Sequence, residues 1–119
     1  MKRLLYQNLL DWKNKENRKP LILNGARQVG KTWFVKEFGK NEYKNLVYIN
    51  CDKNSQVKSL FENGYNIKSI LLGLGAISNQ TIIPTETLIF IDEIQEIPEA
   101  LTSLKYFCEE ASEYHIIAA

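Results

Sequence analysis

Eight consecutive residues of this 119-residue chain have the types and spacing needed to hold phosphate groups. Residues 25–32 read Gly-Ala-Arg-Gln-Val-Gly-Lys-Thr and match the pattern G-x-x-x-x-G-K-[S/T]. In such a loop, the backbone N–H groups and the positive end of the following helix face the anion. Glycines at Gly25 and Gly30 permit backbone angles and close approaches that a Cβ would hinder. We therefore predict a phosphate-binding loop here.

Two side chains at the end of this loop carry specific predicted roles. Lys31 is expected to contact the β- and γ-phosphates, and the Thr32 hydroxyl to bind Mg²⁺, which prefers oxygen ligands. Arg27 is compatible with a phosphate or partner contact and equally with an exposed or structural role. The candidate nucleotide-binding residues are Gly25, Ala26, Arg27, Gln28, Val29, Gly30, Lys31, Thr32 and Trp33.

The second candidate motif is a pair of acidic residues that follows an apolar run at residues 88–91. The pair Asp92-Glu93 matches the Walker B pattern, which is weak alone but gains weight sixty residues after a phosphate-binding loop. Asp92 joins Thr32 as a candidate Mg²⁺ ligand. Glu93 and Lys31 are the candidate catalytic residues, and Glu93 is the one expected to polarise the attacking water. Gln95 either helps to place that water or is a polar residue of a turn.

The acidic pair also separates classes of nucleotide-binding protein. A GTPase is expected to carry an Asn-Lys-x-Asp segment that reads guanine, and the sequence contains none. A nucleotide kinase needs an acceptor site but no water-activating glutamate. The residues therefore favour ATP with Mg²⁺ as the cofactor and hydrolysis as the reaction.

The elements that position these residues alternate between helices and strands. Leu5, Leu9 and Trp12 recur at helical spacing and predict a leading helix at residues 2–15. An apolar strand at 21–24, buried on both faces, leads into the loop. A short helix from Trp33 is expected to end at Gly39, and a second strand is predicted at 46–50.

The remaining residues continue the alternation. A helical turn is predicted at residues 57–61, and a helix around 67–74 that Gly73 and Gly75 weaken or end. After the strand at 88–91, Pro98 opens a helix whose predicted buried face contains Leu101, Leu104 and Cys108. A fourth strand is predicted at 115–119. This order indicates an α/β fold with a parallel sheet, as in a P-loop NTPase core.

Charge and cysteine content restrict the possible classes further. Up to Asn45 there are eleven Lys/Arg against four Asp/Glu, and after it four against ten, so the first part is near +7 and the rest near −6. The two cysteines are too few for a disulfide framework or a zinc site, and His115 is interpreted as structural. No signal peptide or membrane-spanning run is visible, so a cytoplasmic location without membrane contact is expected.

Residues 18–24 (Arg-Lys-Pro-Leu-Ile-Leu-Asn), the loop at 25–32 and the later Asp-Glu-Ile-Gln at 92–95 together resemble the prokaryotic AAA-type ATP-binding proteins. The resemblance covers the whole chain and implies the class of core with an additional strand between the P-loop and Walker B strands. It places the fourth strand in that central position. It also implies Mg-dependent ATP hydrolysis.

The resemblance further implies parts that do not occur in these 119 residues, namely a fifth strand, a lid, a sensor residue and an arginine donor. We therefore expect residues 1–119 to be the N-terminal portion of an ATPase domain, with a leading helix and linker at 1–19 and the core at 20–119. Little turnover is expected of this portion alone. The oligomeric state is left open, with oligomerisation through later residues as one route. The alternative is a nucleotide-dependent switch or DNA-associated module, which the basic first part favours.

Overall fold

The computed structural model describes residues 2–23 and 30–119, and in them five α-helices and four β-strands. The helices are α1 (Lys2–Lys13), α2 (Lys31–Glu42), α3 (Ser55–Glu62), α4 (Ile67–Ser78) and α5 (Pro98–Glu110). The strands are β1 (Leu21–Ile22), β2 (Asn45–Asn50), β3 (Thr87–Asp92) and β4 (His115–Ala118). A single turn of 3₁₀-helix, Ile94–Glu96, joins β3 to α5.

The four strands form one parallel sheet in the order β1-β4-β3-β2. The predicted α/β fold with a parallel sheet is confirmed, as is the position of the fourth strand between the P-loop strand and the strand that ends in Asp92. Asn50 lies opposite Asp92 in the register of β2 and β3. Because all strands are parallel, their carboxyl ends lie at one edge of the sheet, where ligands of open α/β sheets bind.

Helices cover both faces of the sheet and create two apolar clusters. One cluster joins one face to α3, α4 and α5, and the other joins the opposite face to α1 and α2. All six residues of β3 are buried, as its near-continuous apolar sequence predicts for a parallel strand covered on both sides. In α1, Leu9 and Trp12 are buried as predicted, and the Trp12 indole donates a 2.6 Å hydrogen bond to the Lys19 carbonyl.

The prediction that Gly39 ends α2 is wrong, because the helix continues to Glu42. Gly39 is buried against the sheet, and a Cβ there would lie 2.9 Å from a methyl of Leu46 and 3.0 Å from one of Leu88. The glycine therefore brings the P-loop helix close to β2 and β3 instead of terminating it. Since α2 carries Lys31 and Thr32, this close packing also sets the distance of these two residues from the sheet.

The helix α4 likewise passes through Gly73 and Gly75 and ends at Ser78. A Cβ at Gly73 would lie 2.3 Å from a methyl of Leu60, and one at Gly75 would lie 2.9 Å from the Gln80 carbonyl oxygen. Both glycines therefore accommodate neighbours that approach the helix closely. Their low helix propensity is outweighed by tertiary packing.

Two burial predictions require correction. The strand β1 is not buried on both faces: Ile22 is 41% exposed and Leu21 is half-buried, because β1 ends the strand order and pairs with β4 alone among the described residues. In α5, Leu101 is 44% exposed. The buried face of α5 is instead formed by Ala100, Ser103, Leu104 and Phe107. Ser103 tolerates burial because its hydroxyl donates to the Ala100 carbonyl.

Candidate nucleotide site

The first turn of α2 supplies the start of the candidate site. Gly30 precedes the helix with φ +94°, a left-handed angle that favours glycine, and its carbonyl accepts a 2.8 Å hydrogen bond from the Phe34 N–H. Among the described residues, no side chain caps this helix terminus. Five of the predicted phosphate-binding residues lie outside the described residues, and their contacts stay predictions: Gly25, Ala26, Arg27, Gln28 and Val29.

The two candidate metal ligands are in direct contact. The Thr32 hydroxyl, on the first turn of α2, donates a 2.7 Å hydrogen bond to Oδ2 of Asp92 at the end of β3. These residues are sixty positions apart in sequence, and Asp92 is only 8% exposed. The fold therefore places the end of the predicted phosphate loop beside the first acid of the Asp92-Glu93 pair.

A tyrosine that was not predicted as a site residue completes this contact. The Tyr48 hydroxyl on β2 donates a 2.9 Å hydrogen bond to the same Oδ2 of Asp92. Burial, followed by the hydrogen bond to Asp92, raises the pKa of Tyr48 to about 12. The tyrosine consequently keeps its proton at neutral pH and acts as a donor to the carboxylate.

The other predicted residues of α2 are placed at the same end of the sheet. The Lys31 ammonium donates a 3.1 Å hydrogen bond to the carbonyl of Leu23, directly after β1. The contact holds the cation beside the carboxyl end of β1. Trp33 follows in the same helical turn, and its side chain is 58% exposed.

Glu93 has an unusual backbone conformation next to Asp92. Its φ of 54° and ψ of 43° are left-handed, which few non-glycine residues adopt. Its N–H donates a 3.0 Å hydrogen bond to Oδ1 of Asp92, and its own Oε1 accepts a 3.1 Å hydrogen bond from the Gln95 amide. The two carboxylates of the pair therefore differ in exposure: Asp92 is buried and Glu93 is half-buried.

A pocket of about 300 Å³ opens between these side chains. It is lined by Lys31, Thr32, Tyr48, Asn50, Asp92, Glu93 and Ala119. The pocket thus brings together all four predicted catalytic and metal-binding residues. Tyr48 and Asn50 were missed, although a parallel pairing of the second and third predicted strands would have set Asn50 opposite Asp92.

The comparison with protein families decides what kind of domain this geometry belongs to. The family model described as "AAA domain" matches residues 17–119. The chain belongs to this family. Membership supports a nucleotide-binding AAA-like domain, and the match contains every residue of the pocket. No curated protein and no solved structure matches the chain.

The electrostatic surroundings of this AAA domain's pocket are acidic on the side of β2 and β3. Burial, and then the charges of Asp92, Glu93 and Glu96, raise the pKa of the neighbouring Cys51 to about 12. The thiol is therefore protonated at neutral pH and is no nucleophile. The same concentration of negative charge favours a cation beside Asp92.

The oxygen donors of the pocket could hold a hard divalent cation such as Mg²⁺. The Thr32 hydroxyl and the Asp92 carboxylate are hard ligands, and Mg²⁺ commonly uses one or two protein oxygens together with water and substrate phosphates. Among residues 2–23 and 30–119, no group of three or more His, Cys, Asp or Glu is arranged to hold a metal. Thr32 and Asp92 are the oxygen donors of this pocket that could hold a cation together with a bound phosphate.

None of the helices among the described residues combines the length and the apolar character needed to cross a bilayer.

Proposed function

We propose that this AAA domain binds ATP with Mg²⁺ in the 300 Å³ pocket and hydrolyses it. The contact of 2.7 Å between Thr32 and Asp92 carries the proposal, because it joins the P-loop helix to the acidic pair. A hydroxyl and a carboxylate at this separation can bind one hard cation together. The family membership supports the nucleotide-binding part of the proposal.

Four residues of the pocket have specific roles in this proposal. Lys31 and the N-terminus of α2 bind the β- and γ-phosphates through opposite charge. Thr32 and Asp92 would hold Mg²⁺, which when bound offsets the negative charge on the phosphate oxygens. Glu93 accepts a hydrogen bond from the attacking water, and this contact orients a lone pair of the water oxygen toward the γ-phosphorus.

The position of Lys31 supports its phosphate role. Its ammonium contacts the neutral Leu23 carbonyl, and among the described residues it is engaged in no ion pair. A phosphate that enters the pocket therefore does not have to break a carboxylate contact of this lysine. The positive charge is available to the ligand at small cost.

The binding step is tested with Lys31→Ala, measured by isothermal titration of Mg-ATP. We expect the affinity to fall at least about 30-fold, since the loss of a close charged contact typically costs about 2 kcal/mol or more. Lys40→Ala is the matched control, because Lys40 is an exposed lysine of the same helix and lies away from the pocket. Equal affinities of the two variants would remove Lys31 from its role.

The hydrolysis step is tested with Glu93→Gln in single-turnover experiments with protein in excess, which detect slow reactions. We expect nucleotide affinity to stay within about twofold and the rate to fall about 100-fold, the lower range for a lost general base. Glu96→Gln is the control, because Glu96 is an exposed glutamate of the adjoining 3₁₀ turn. Equal single-turnover rates of Glu93→Gln and the wild type would remove Glu93 from its role.

A further inference from the structure

Two hydroxyl groups donate to a single oxygen of Asp92. Thr32 does so from α2 at 2.7 Å and Tyr48 from β2 at 2.9 Å. The second carboxylate oxygen, Oδ1, accepts from the Glu93 N–H at 3.0 Å. Asp92 is therefore oriented by three donors from three parts of the fold.

The ring of Tyr48 is itself held from two sides. The Lys36 ammonium lies 3.9 Å from the ring centroid, on the helix that also carries Thr32. The ring of Phe90, in the neighbouring strand, lies 5.4 Å away between centroids. Both contacts use the ring and leave the hydroxyl free to point at Asp92. The hydroxyl can thus be removed while the supports of the ring remain.

The two hydroxyl donors differ in what metal binding requires of them. The Thr32 hydroxyl can direct an oxygen lone pair to Mg²⁺ while its proton stays directed at Asp92, so Thr32 would contact the ion itself. Tyr48 approaches the same carboxylate from β2 and can keep its hydrogen bond. A donor that hydrogen-bonds to a metal ligand from behind fixes the orientation of that ligand.

We propose that Tyr48 is a positioning residue that holds the Asp92 carboxylate in its metal-binding orientation. The inference rests on the proposed Mg-ATP site, because it assigns Tyr48 a role toward the same ion. Its consequence is a selective one. The tyrosine hydroxyl should contribute to nucleotide affinity only when Mg²⁺ is present.

The test is Tyr48→Phe, with ATP affinity measured by isothermal titration in Mg²⁺ and again in EDTA. We expect the affinity in Mg²⁺ to fall about tenfold, the lower end of the effect of removing an outer-shell partner. The affinity in EDTA should equal that of the wild type. An unchanged affinity in Mg²⁺, or an equal loss in both conditions, would overturn the proposal, the latter because it indicates a general structural role.

Tyr6→Phe is a matched control. The Tyr6 hydroxyl donates a 2.5 Å hydrogen bond to the Glu42 carboxylate at the far end of α2, so the variant loses the same kind of contact away from the pocket. We expect it to bind as the wild type in both conditions. A loss in Mg²⁺ as large as that of Tyr48→Phe would contradict a specific role for Tyr48.

A double-mutant cycle separates this proposal from the proposed function. If Tyr48 acts through Asp92, Tyr48→Phe should have no further effect in an Asp92→Ala background. An additional tenfold loss there would contradict action through Asp92. Failure of the wild-type chain to bind ATP more tightly in Mg²⁺ than in EDTA would instead refute the proposed metal site itself, so the two failures are distinguishable.

Discussion

Two tyrosines hydrogen-bond to titratable side chains at opposite ends of the same sheet. At the carboxyl end, Tyr48 donates to Asp92 at 2.9 Å. At the amino end, the Tyr43 hydroxyl and Nδ1 of His115 share a hydrogen bond of 2.6 Å. The two contacts are chemically similar, yet we assign one to a binding site and the other to the interior of the fold.

The surroundings of the pairs justify this difference. Tyr43 and His115 are 8% and 2% exposed and are enclosed by edge-to-face contacts with Trp12 and Phe38. Arg18 lies nearby and donates to the Lys13 and Ser112 carbonyls. Asp92, in contrast, borders an open pocket that Lys31 also lines. A buried polar pair is thus structural when apolar side chains enclose it and available for chemistry when it borders space for a ligand.

The enclosed pair should make the stability of the domain depend on pH. Burial, followed by the charges of Arg18 and Lys13, lowers the pKa of His115 from its ordinary 6.5 to about 4. Between these values the unfolded chain binds a proton that the folded chain does not, so stability falls as the pH falls. From pH 7.5 to 5.0 we expect His115 to contribute a loss of about 2 kcal/mol in the free energy of unfolding.

Urea denaturation of the wild type and of His115→Gln at both pH values checks this expectation. Glutamine does not titrate, so the variant should lose about 2 kcal/mol less than the wild type on acidification, while carboxylates contribute similarly to both proteins. Identical pH dependence in the two proteins would show that His115 is not held neutral by its enclosure. Nucleotide affinity at pH 7.5 should be the same in both, since the pair is remote from the pocket.

The sequence was sufficient to predict the elements whose patterns are local. The apolar run of β3 is such a pattern, because consecutive residues predict a strand that the fold then buries completely. The loop at 25–32 has an equally local pattern, and its phosphate contacts stay a prediction. The ends of α2 and α4 could not be predicted in this way, because Gly39 and Gly73 are explained by leucines that approach from other elements. The sequence alone does not show whether a glycine ends a helix or lets a neighbouring side chain pack closely against it. Only the tertiary packing distinguishes these two roles.

The candidate site shows the same limit. Lys31, Thr32, Asp92 and Glu93 belong to two motifs of fixed spacing and could be named from the sequence. Tyr48 belongs to no motif: it lies in the continuous apolar run at residues 46–49 of β2, which by itself predicts core side chains. Its role depends on the register of β2 against β3, which brings its hydroxyl to Asp92.

A smaller effect is expected from Tyr43→Phe, which removes the hydroxyl from the enclosed pair and leaves the ring. We expect a loss of about 1 kcal/mol in the free energy of unfolding at pH 7.5, the usual value for one neutral hydrogen bond. Unlike Tyr48→Phe, this variant should bind Mg-ATP with wild-type affinity, because its partner His115 starts β4 while the pocket lies at the other end of the strand. Denaturation and titration of both variants therefore form a crossed comparison. A Tyr43→Phe protein that keeps its stability and loses Mg-dependent affinity would contradict the structural role that we assign to the Tyr43–His115 pair.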